Sequence, residues 1–504
     1  MTINFKNIPT GIRVPMFYAE LDNSQANTAS VNQRALIIGQ ITSAGIAAAN
    51  VPLISQGASD AKTQGGPGSM LALMTDVYRD ADNYGEVWYL PLADDGAAVA
   101  ATGSITFAGT ATANGTLALY IAAYMTTTGV KGQINTAVTT GMTAAEIATA
   151  VAAAINANTD LPVTAAVDGS NTAKVDITAK NAGLAGNDID IRFNYYGAPG
   201  GEALPAGIAP TITAMSGGTT NPSLTTALSN LSDMLLDFIA FPYTDTASLD
   251  AIKGFLGDTS GRWAWSSQIY GGAFGATRGT LGTLTTFGTA RNDQHASIMG
   301  FDDSPTPNWL WAANITAAAA QSLRADPALP LQTLVLGSVL APPVASRFPL
   351  TSRNTLLYDG ISTFSVADDG TVAIENLITT YQTNSFGQPD NSYLQVETLY
   401  TLMAVLRFLK TRITSKYARV KLVDNGTRLP PGANAVSPNM IRSDQIAAYT
   451  EMINLGWVEN LDGFKAGLIV ERDAQNPSRV NELFDPYLMG GLRIFALLAQ
   501  FRLQ

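Results

Sequence analysis

One alternation of strands and helices runs through this sequence, is broken off, and is taken up again far downstream, and that break constrains the fold more than any single motif. RALIIG (34–39) and EVWYLPL (86–92) are short apolar runs of strand type, with a helical pattern over 68–82 between them. The pattern stops at ADDGAAVAATG and resumes near Asn221, where NPSLTTALSNLSDM opens as a helix, with Ser223 as its N-cap, and runs into a strand over 235–243. A helix over 246–256, a strand over 262–267, a helix over 279–290, a strand over 295–300 and a helix over 309–324 follow. Strands alternating with helices of this length predict a helix-covered parallel sheet, an α/β core made of 31–96 together with 221–350.

Residues 97–220 then form an inserted domain. All six tryptophans (Trp88, Trp263, Trp265, Trp309, Trp311 and Trp457) lie outside it, and Ala, Gly and Thr dominate it. Strands are predicted over 103–111, 115–125, 163–169, 173–180 and 188–197, with an Ala-rich helix over 143–156 opened by a Thr143–Glu146 capping box. An excursion that returns to its starting place predicts a peripheral, protruding α+β domain whose removal the core tolerates. Beyond a Pro-containing link, residues 351–490 predict an α+β domain. It has a hairpin turning at Asp368-Asp369-Gly370, a long helix over 392–416, a helix over 443–455 and strand-like stretches over 464–473 and 478–485.

Both chain ends are apolar and unsuited to standing alone. In residues 1–30, Pro9, Gly11 and Pro15 bar a helix, while Ile12, Val14, Phe17 and Tyr18 are β-formers with surface to bury. Such an arm adds a strand to a sheet, its own or a neighbour's. The last stretch, 491–504, is apolar apart from Arg493, Arg502 and two glutamines, and would aggregate unless it docks. A chain of 504 residues predicts two or three domains. With 46% hydrophobic and only 14% charged residues, its surface is poor in charge, as extensive subunit burial requires. The net charge of -11 disfavours DNA or RNA as a direct partner. The absence of cysteine excludes disulfides, thiolate catalysis and cysteine-held metal. No signal-type apolar segment opens the chain and no uncharged run reaches the roughly 18 residues of a membrane span, so neither secretion nor membrane insertion is expected.

Little in the chain points to chemistry. The single histidine, His295, has Asp293 and Ser297 beside it, but a triad is made by geometry and no G-x-S-x-G element accompanies it, so a structural histidine at a strand start is the expectation. GGAFGATRG (271–279) lacks the spacing of a phosphate loop and reads as a flexible loop. The pairs Asp94-Asp95, Asp302-Asp303 and Asp368-Asp369 adjoin Gly, Ser or Pro and read as turns rather than calcium ligands. Trp263, Trp265, Trp309 and Trp311 read as core packing rather than a carbohydrate platform. No catalytic residue, cofactor or metal is expected.

RNDQHASIMG, SPTPNWLWAANITAAAAQSLRADPALPLQTLVL, RNTLLYDGISTF, ENLITTYQTN, SYLQVETLYTLMAVL and NLGWVENLDGFKAGLIVERD, with IRVPMFYAELDNSQA and YGEVWYLPL nearer the start, together resemble the tail sheath proteins of Mu-like contractile phages. The resemblance implies a core of subtilisin-like topology without catalysis, and terminal strands exchanged with neighbouring copies. Those linking arms correspond to Ile12, Val14, Phe17 and Tyr18 at one end and Leu492, Ile494, Phe495, Leu497, Leu498 and Phe501 (within 491–504) at the other. It further implies a homo-oligomer, a helical stack of hexameric rings around a tail tube protein, bounded by baseplate and tail terminator proteins. That array would be assembled in the host bacterial cytoplasm and carried on the virion, contracting from a metastable extended state to drive the tube through the host envelope. The sheath of a phage-tail-like bacteriocin is the alternative, and an α/β hydrolase-like enzyme a more distant one.

Overall fold

A computed structural model describes residues 33–430 and 432–503. The expected N-terminal arm, with Ile12, Val14, Phe17 and Tyr18, lies outside the described residues.

The first part of the alternation gives β1 (Ala35–Gln40), the short β2 (Leu53–Ile54), α1 (Ala58–Gly65), α2 (Met70–Ala81) and β3 (Val87–Leu92). β1 is buried at every position, as an unbroken apolar run requires of a strand covered on both faces. Ser69 starts α2 by accepting from the Ala72 amide at 3.2 Å, and the helix then lays Leu71, Met74 and Tyr78 on the sheet.

The intervening segment contains β4 (Thr102–Gly109), β5 (Gly115–Thr126), β6 (Gly129–Val138), α3 (Ala144–Ala157), β7 (Val163–Val167), β8 (Lys174–Ala179), β9 (Ile191–Phe193) and β10 (Ile208–Ser216). They form two antiparallel sheets, β10-β4-β8-β7 and β6-β5-β9, around a separate core that includes Phe107, Leu117, Ile147, Val151 and Ile177. The capping box is present: Thr143 N donates to Glu146 Oε2 at 2.8 Å and Glu146 N to Thr143 Oγ1 at 3.4 Å. β6 and β10 fall where no strand is predicted. Both are edge strands, and their sequences interrupt the apolar pattern with Gly, Asn, Thr or Pro.

β5 connects this segment to the main core. Its pairing with β6 slips between Tyr120 and Tyr124, with Ala122 at φ 46°. Before the bulge Leu117, Leu119 and Ile121 serve the segment's own core; beyond it Tyr124 joins the main one. Gly132 opposite is at φ 78°, and a Cβ there would lie 2.5 Å from Ile121 O, so only glycine fits. The segment is therefore anchored to the main core, where the sequence predicts a peripheral domain. Thr306 Oγ1 donates to Ala123 O (2.6 Å), Tyr195 OH to Ala341 O (2.9 Å) and Tyr124 OH to Asp76 Oδ2 (2.7 Å).

The alternation resumes with α4 (Thr225–Ser229), β11 (Phe238–Ala240), α5 (Thr246–Leu256), β12 (Gly272–Arg278), α6 (Leu281–Thr289), β13 (Ala296–Phe301) and α7 (Asn308–Ala325). The main sheet has the order β13-β12-β11-β1-β3-β2, parallel except for β2. Two expectations fail here. Residues 262–267 are turns, not a strand. Arg262 is buried there, its guanidinium donating to Tyr270 O and Met234 O, and Trp265 is 83% exposed rather than packed. The strand is instead the supposed loop, β12. Its small residues are demanded by crowding: Cβ atoms at Gly272 and Gly275 would lie 2.9 Å from Tyr400 Oη and 2.8 Å from Ile298 Cδ1. α4 is also shorter than expected, with Leu224 rather than Ser223 at its cap.

The remainder holds α8 (Leu350–Tyr358), the hairpin β14 (Thr363–Val366) and β15 (Val372–Asn376), and α9 (Val396–Tyr417). After it come β16 (Lys421–Leu422), β17 (Ala435–Val436), α10 (Pro438–Asn454), β18 (Val458–Glu459), α11 (Leu461–Gly467), β19 (Ile469–Arg472), β20 (Val480–Leu483) and β21 (Tyr487–Leu488). α9 spans two cores. Tyr400 stacks on Phe238 at 5.1 Å and donates to Asp237 O, whereas Val405 and Leu409 join α10 and α11 in a third core in which Tyr449 stacks on Phe464 at 3.7 Å.

Candidate inter-subunit interface

The open α/β sheet ordinarily offers a ligand crevice beyond the carboxyl ends of its strands, where the strand order switches direction. Here the switch lies between β1, which continues to β3, and β11. The chain fills that place with its own groups. Gln40 Nε2, at the end of β1, donates to Asp94 Oδ1 and to Ala182 O, both at 2.6 Å, and Asn181 Nδ2 donates to Ile41 O at 2.9 Å. Asp94 Oδ2 also accepts from Ala182 N at 2.8 Å, so Asp94 ties the inserted segment to the core instead of serving only a turn. Farther along the same edge, Asp188 accepts from Arg278 Nε and from Asn308 N, each at 2.5 Å, and Arg192 pairs with Asp303. The Asp368–Asp369 pair is a hairpin turn, Asp369 Oδ1 accepting from Thr371 N at 2.9 Å.

His295 lies just before β13 and is buried. Nε2 is 3.1 Å from Asp258 Oδ1 and Nδ1 is 3.4 Å from Asp293 Oδ1. Burial pulls its pKa down, but the bonds to the two carboxylates outweigh that and hold it above the ordinary value. Ser297 is not part of this group: its Oγ donates to Ile378 O at 2.6 Å. Both ring nitrogens thus face carboxylates, an arrangement that cross-braces loops and leaves no nitrogen to activate Ser297. Trp309 and Trp311 are packed in the core, Trp311 stacking on Phe301 at 4.7 Å. Among the described residues no group of side chains is placed to hold a metal ion, and no helix is long and apolar enough to cross a membrane.

The unpartnered surface is at the carboxyl end. After β21 pairs with β18, residues 489–503 form no helix or strand and have no strand partner among the described residues. Ile494, Phe495, Leu497, Leu498, Phe501 and Leu503 are 77–90% exposed, and Leu492 is 71% exposed. Placing so many large apolar side chains in water forgoes about 1.5–3 kcal/mol each, a cost that docking recovers. Nearby, the hairpin β19–β20 is only two-stranded, with Ile469 and Leu483 opposite each other on its outer face at 52% and 57% exposure. Two strands with open edges are marginal alone and invite further strands. The inner face carries Glu482, whose carboxyl is pushed up to about 7 by burial, against a weaker opposing bond from Gln445 Nε2 at 3.3 Å.

A third feature is electrostatic. In a chain of net charge -11, Lys410 in the C-terminal part of α9, Arg419 just after it, Lys421 in β16 and Arg428 in the following loop form a basic run; all four are exposed and make no ion pair among the described residues. The apolar tail is visible in the sequence, whereas these basic residues stand out only once the paired cations Arg407, Arg412 and Lys416 are set aside.

Models of the phage tail sheath protein central domain and the phage tail sheath C-terminal domain match residues 217–380 and 388–502. A Mu-like prophage FluMu tail sheath protein from Haemophilus influenzae is 39% identical over 503 residues, covering 99% of this chain and all of that protein. Among solved structures, a sheath tail protein from Desulfitobacterium hafniense is similar at 13% identity and TM-score 0.47, covering 96% of this chain and 97% of that one. A chain of the contracted anti-feeding prophage baseplate is similar at 10% identity and TM-score 0.47, covering 98% and 100%. With TM-scores this low, the weight falls on the sequence relative and the two domain matches. By that full-length identity the chain belongs to the phage tail sheath family, as a structural subunit of a contractile tail.

Proposed function

We propose that the subunit works only as a polymer, its C-terminal arm, with Leu492, Ile494, Phe495, Leu497, Leu498 and Phe501, completing a sheet in a neighbouring copy. The hairpin β19–β20 is the acceptor that chemistry favours, because it pairs open backbone edges with the exposed Ile469 and Leu483. The N-terminal segment with Ile12, Val14, Phe17 and Tyr18 would supply a second strand in the same manner. Each copy then both gives and receives strands, which builds an array of non-closing contacts: hexameric rings stacked around a tail tube between baseplate and terminator proteins, assembled in the host cytoplasm. The division into arms (1–30, 491–504), an α/β core of subtilisin-like topology (31–96 with 221–350), an inserted domain (97–220) and a C-terminal α+β domain (351–490) belongs to this proposal. So does a purely structural role without catalysis, which the protein-filled crevice at the sheet's switch point supports. The basic run of Lys410, Arg419, Lys421 and Arg428 is proposed to face the tube, and requires an acidic surface there.

The observation that carries the proposal is the exposed apolar tail. Deleting residues 494–504 is expected to give a folded subunit that stays unpolymerised at concentrations where the parent forms tubes. Normal tubes of the deletion variant in negative-stain micrographs would refute it.

A further inference from the structure

The tail does not leave the molecule from the small third core that precedes it. After β21, Met489 N donates to Trp457 O at 3.0 Å, and the chain then crosses back to the main core. Gly491 packs so closely on Pro330 that a Cβ there would lie 2.4 Å from its Cγ. Leu492 O accepts from Gln332 Nε2 at 3.1 Å, and Arg493 Nη1 donates to Gln332 Oε1 at 3.4 Å. The Arg493 guanidinium also pairs with the Glu397 carboxylate in the first turn of α9, with side-chain exposures of 19% and 9%. From Ile494 onward the apolar side chains are exposed.

We infer that Arg493, with Glu397 and Gln332, clamps the root of the C-terminal arm, fixing the direction in which the arm projects before a neighbouring copy takes it up. The inference rests on the reading of residues 494–503 as an arm. Its physical content is pre-organisation. Holding backbone in place costs conformational entropy, and for residues 490–493 that cost is met within the subunit rather than at assembly. Burial lowers the pKa of Arg493, so the guanidinium sits in a partly desolvated place, where the Glu397 carboxylate is its charged neighbour. Glu397 in turn would be left buried without a cation if the root swung away. The clamp therefore resists the motion that would let the arm collapse onto its own subunit or dangle. Arg493 is a positioning residue, since the contact with a neighbour is assigned to the residues beyond it.

The test uses the full chain. Replacing Arg493→Gln together with Glu397→Gln removes the clamp without burying a lone charge. The swap Arg493→Glu with Glu397→Arg reverses it, and deletion of 494–504 removes the arm while keeping the clamp. In dilute, unpolymerised subunit the double-glutamine variant is expected to lose hydrogen-exchange protection at 490–493 while its melting temperature stays near the parent's. The concentration for half-polymerisation, read by sedimentation, is expected to rise about tenfold or more, and the swap to recover part of it. An unchanged half-polymerisation concentration would overturn the clamp, as would a fall in melting temperature that accounts for the whole assembly defect. Normal polymerisation of the deletion variant would overturn the arm reading itself, an outcome distinct from failure of the clamp.

Discussion

Replacing Asp188→Ala tests whether the inserted segment is part of the load path or an appendage. One carboxylate oxygen accepts from Arg278 Nε and the other from the Asn308 amide at the start of α7, each at 2.5 Å. Arg278 lies over the Phe301 ring at 5.0 Å; burial lowers its pKa, but the charge and hydrogen bond of Asp188 together with the charge of Asp190 outweigh that and the net shift is upward. Removing the carboxylate leaves a desolvated guanidinium that keeps only the carbonyls of Asp188, Ser304 and Thr306, for a loss of about 3 kcal/mol, with roughly another 1 kcal/mol for the exposed helix-start amide. Against a typical stability of 5–15 kcal/mol, a total near 4 kcal/mol is large. Asp188→Asn keeps an acceptor and is expected to lose about half as much. Urea unfolding followed by tryptophan fluorescence is the assay, because all six tryptophans lie outside the segment that carries Asp188, and Trp309 and Trp311 are in the core beside its partners. A loss below about 1 kcal/mol in that signal would refute the reasoning and restore the view that residues 97–220 can be removed at little cost.

Two further outcomes follow from charge. Glu482 has its folded-state pKa raised to about 7 by burial, so its contribution to stability is fully present below the ordinary carboxylate value and is lost as pH rises through about 7. Glu482→Gln should therefore stabilise the subunit by about 1–2 kcal/mol at about pH 8, after allowance for solvent screening, and little at about pH 5; parallel melting-temperature profiles for parent and variant would contradict this. Reversing Lys410, Arg419 and Lys421 to Glu should leave self-assembly intact while abolishing co-sedimentation with purified tail tubes, and in the parent that co-sedimentation should weaken as salt is raised; an unchanged salt profile would remove the tube from this face.

What could be read from sequence were features that repeat or terminate locally. Residues 246–256 form a helix over that span because Asp245 accepts from Ser248 N at its start and Gly257 follows its end. β1 and β3 show in their unbroken apolar runs. The WAWSS stretch misled because aromatic alternation is a strand's signature, while the true strand, β12, had been stripped of bulky residues by Tyr400 and Ile298, a demand imposed by distant parts of the chain. β6 and β10 were hidden for the opposite reason, since edge strands need backbone partners more than apolar faces. The exposed apolar tail was legible, yet its root was not. Arg493, Gln332 and Glu397 meet through tertiary folding, as do Asp188 and Arg278, and nothing local marks either pair.

The position of the root matters because of what α9 touches. Under the proposed linkage, a neighbour that shifts pulls on the arm at Arg493, and the first residue to feel it is Glu397, in the opening turn of α9. One turn on, Tyr400 lies against Phe238 of β11, and the same helix carries Arg407, paired with Asp237 at 2.5 Å, before Leu409 enters the third core. Burial pushes the Asp237 carboxyl up while Arg407 opposes it, so the two sustain each other and slippage of α9 along the sheet would separate them. A helix fixed at both ends in different cores moves as a rod rather than bending. Displacement entering at the arm would then be delivered to the main sheet and to the hairpin proposed to receive the next arm, and a contraction step could pass from one copy to the next without either core unfolding.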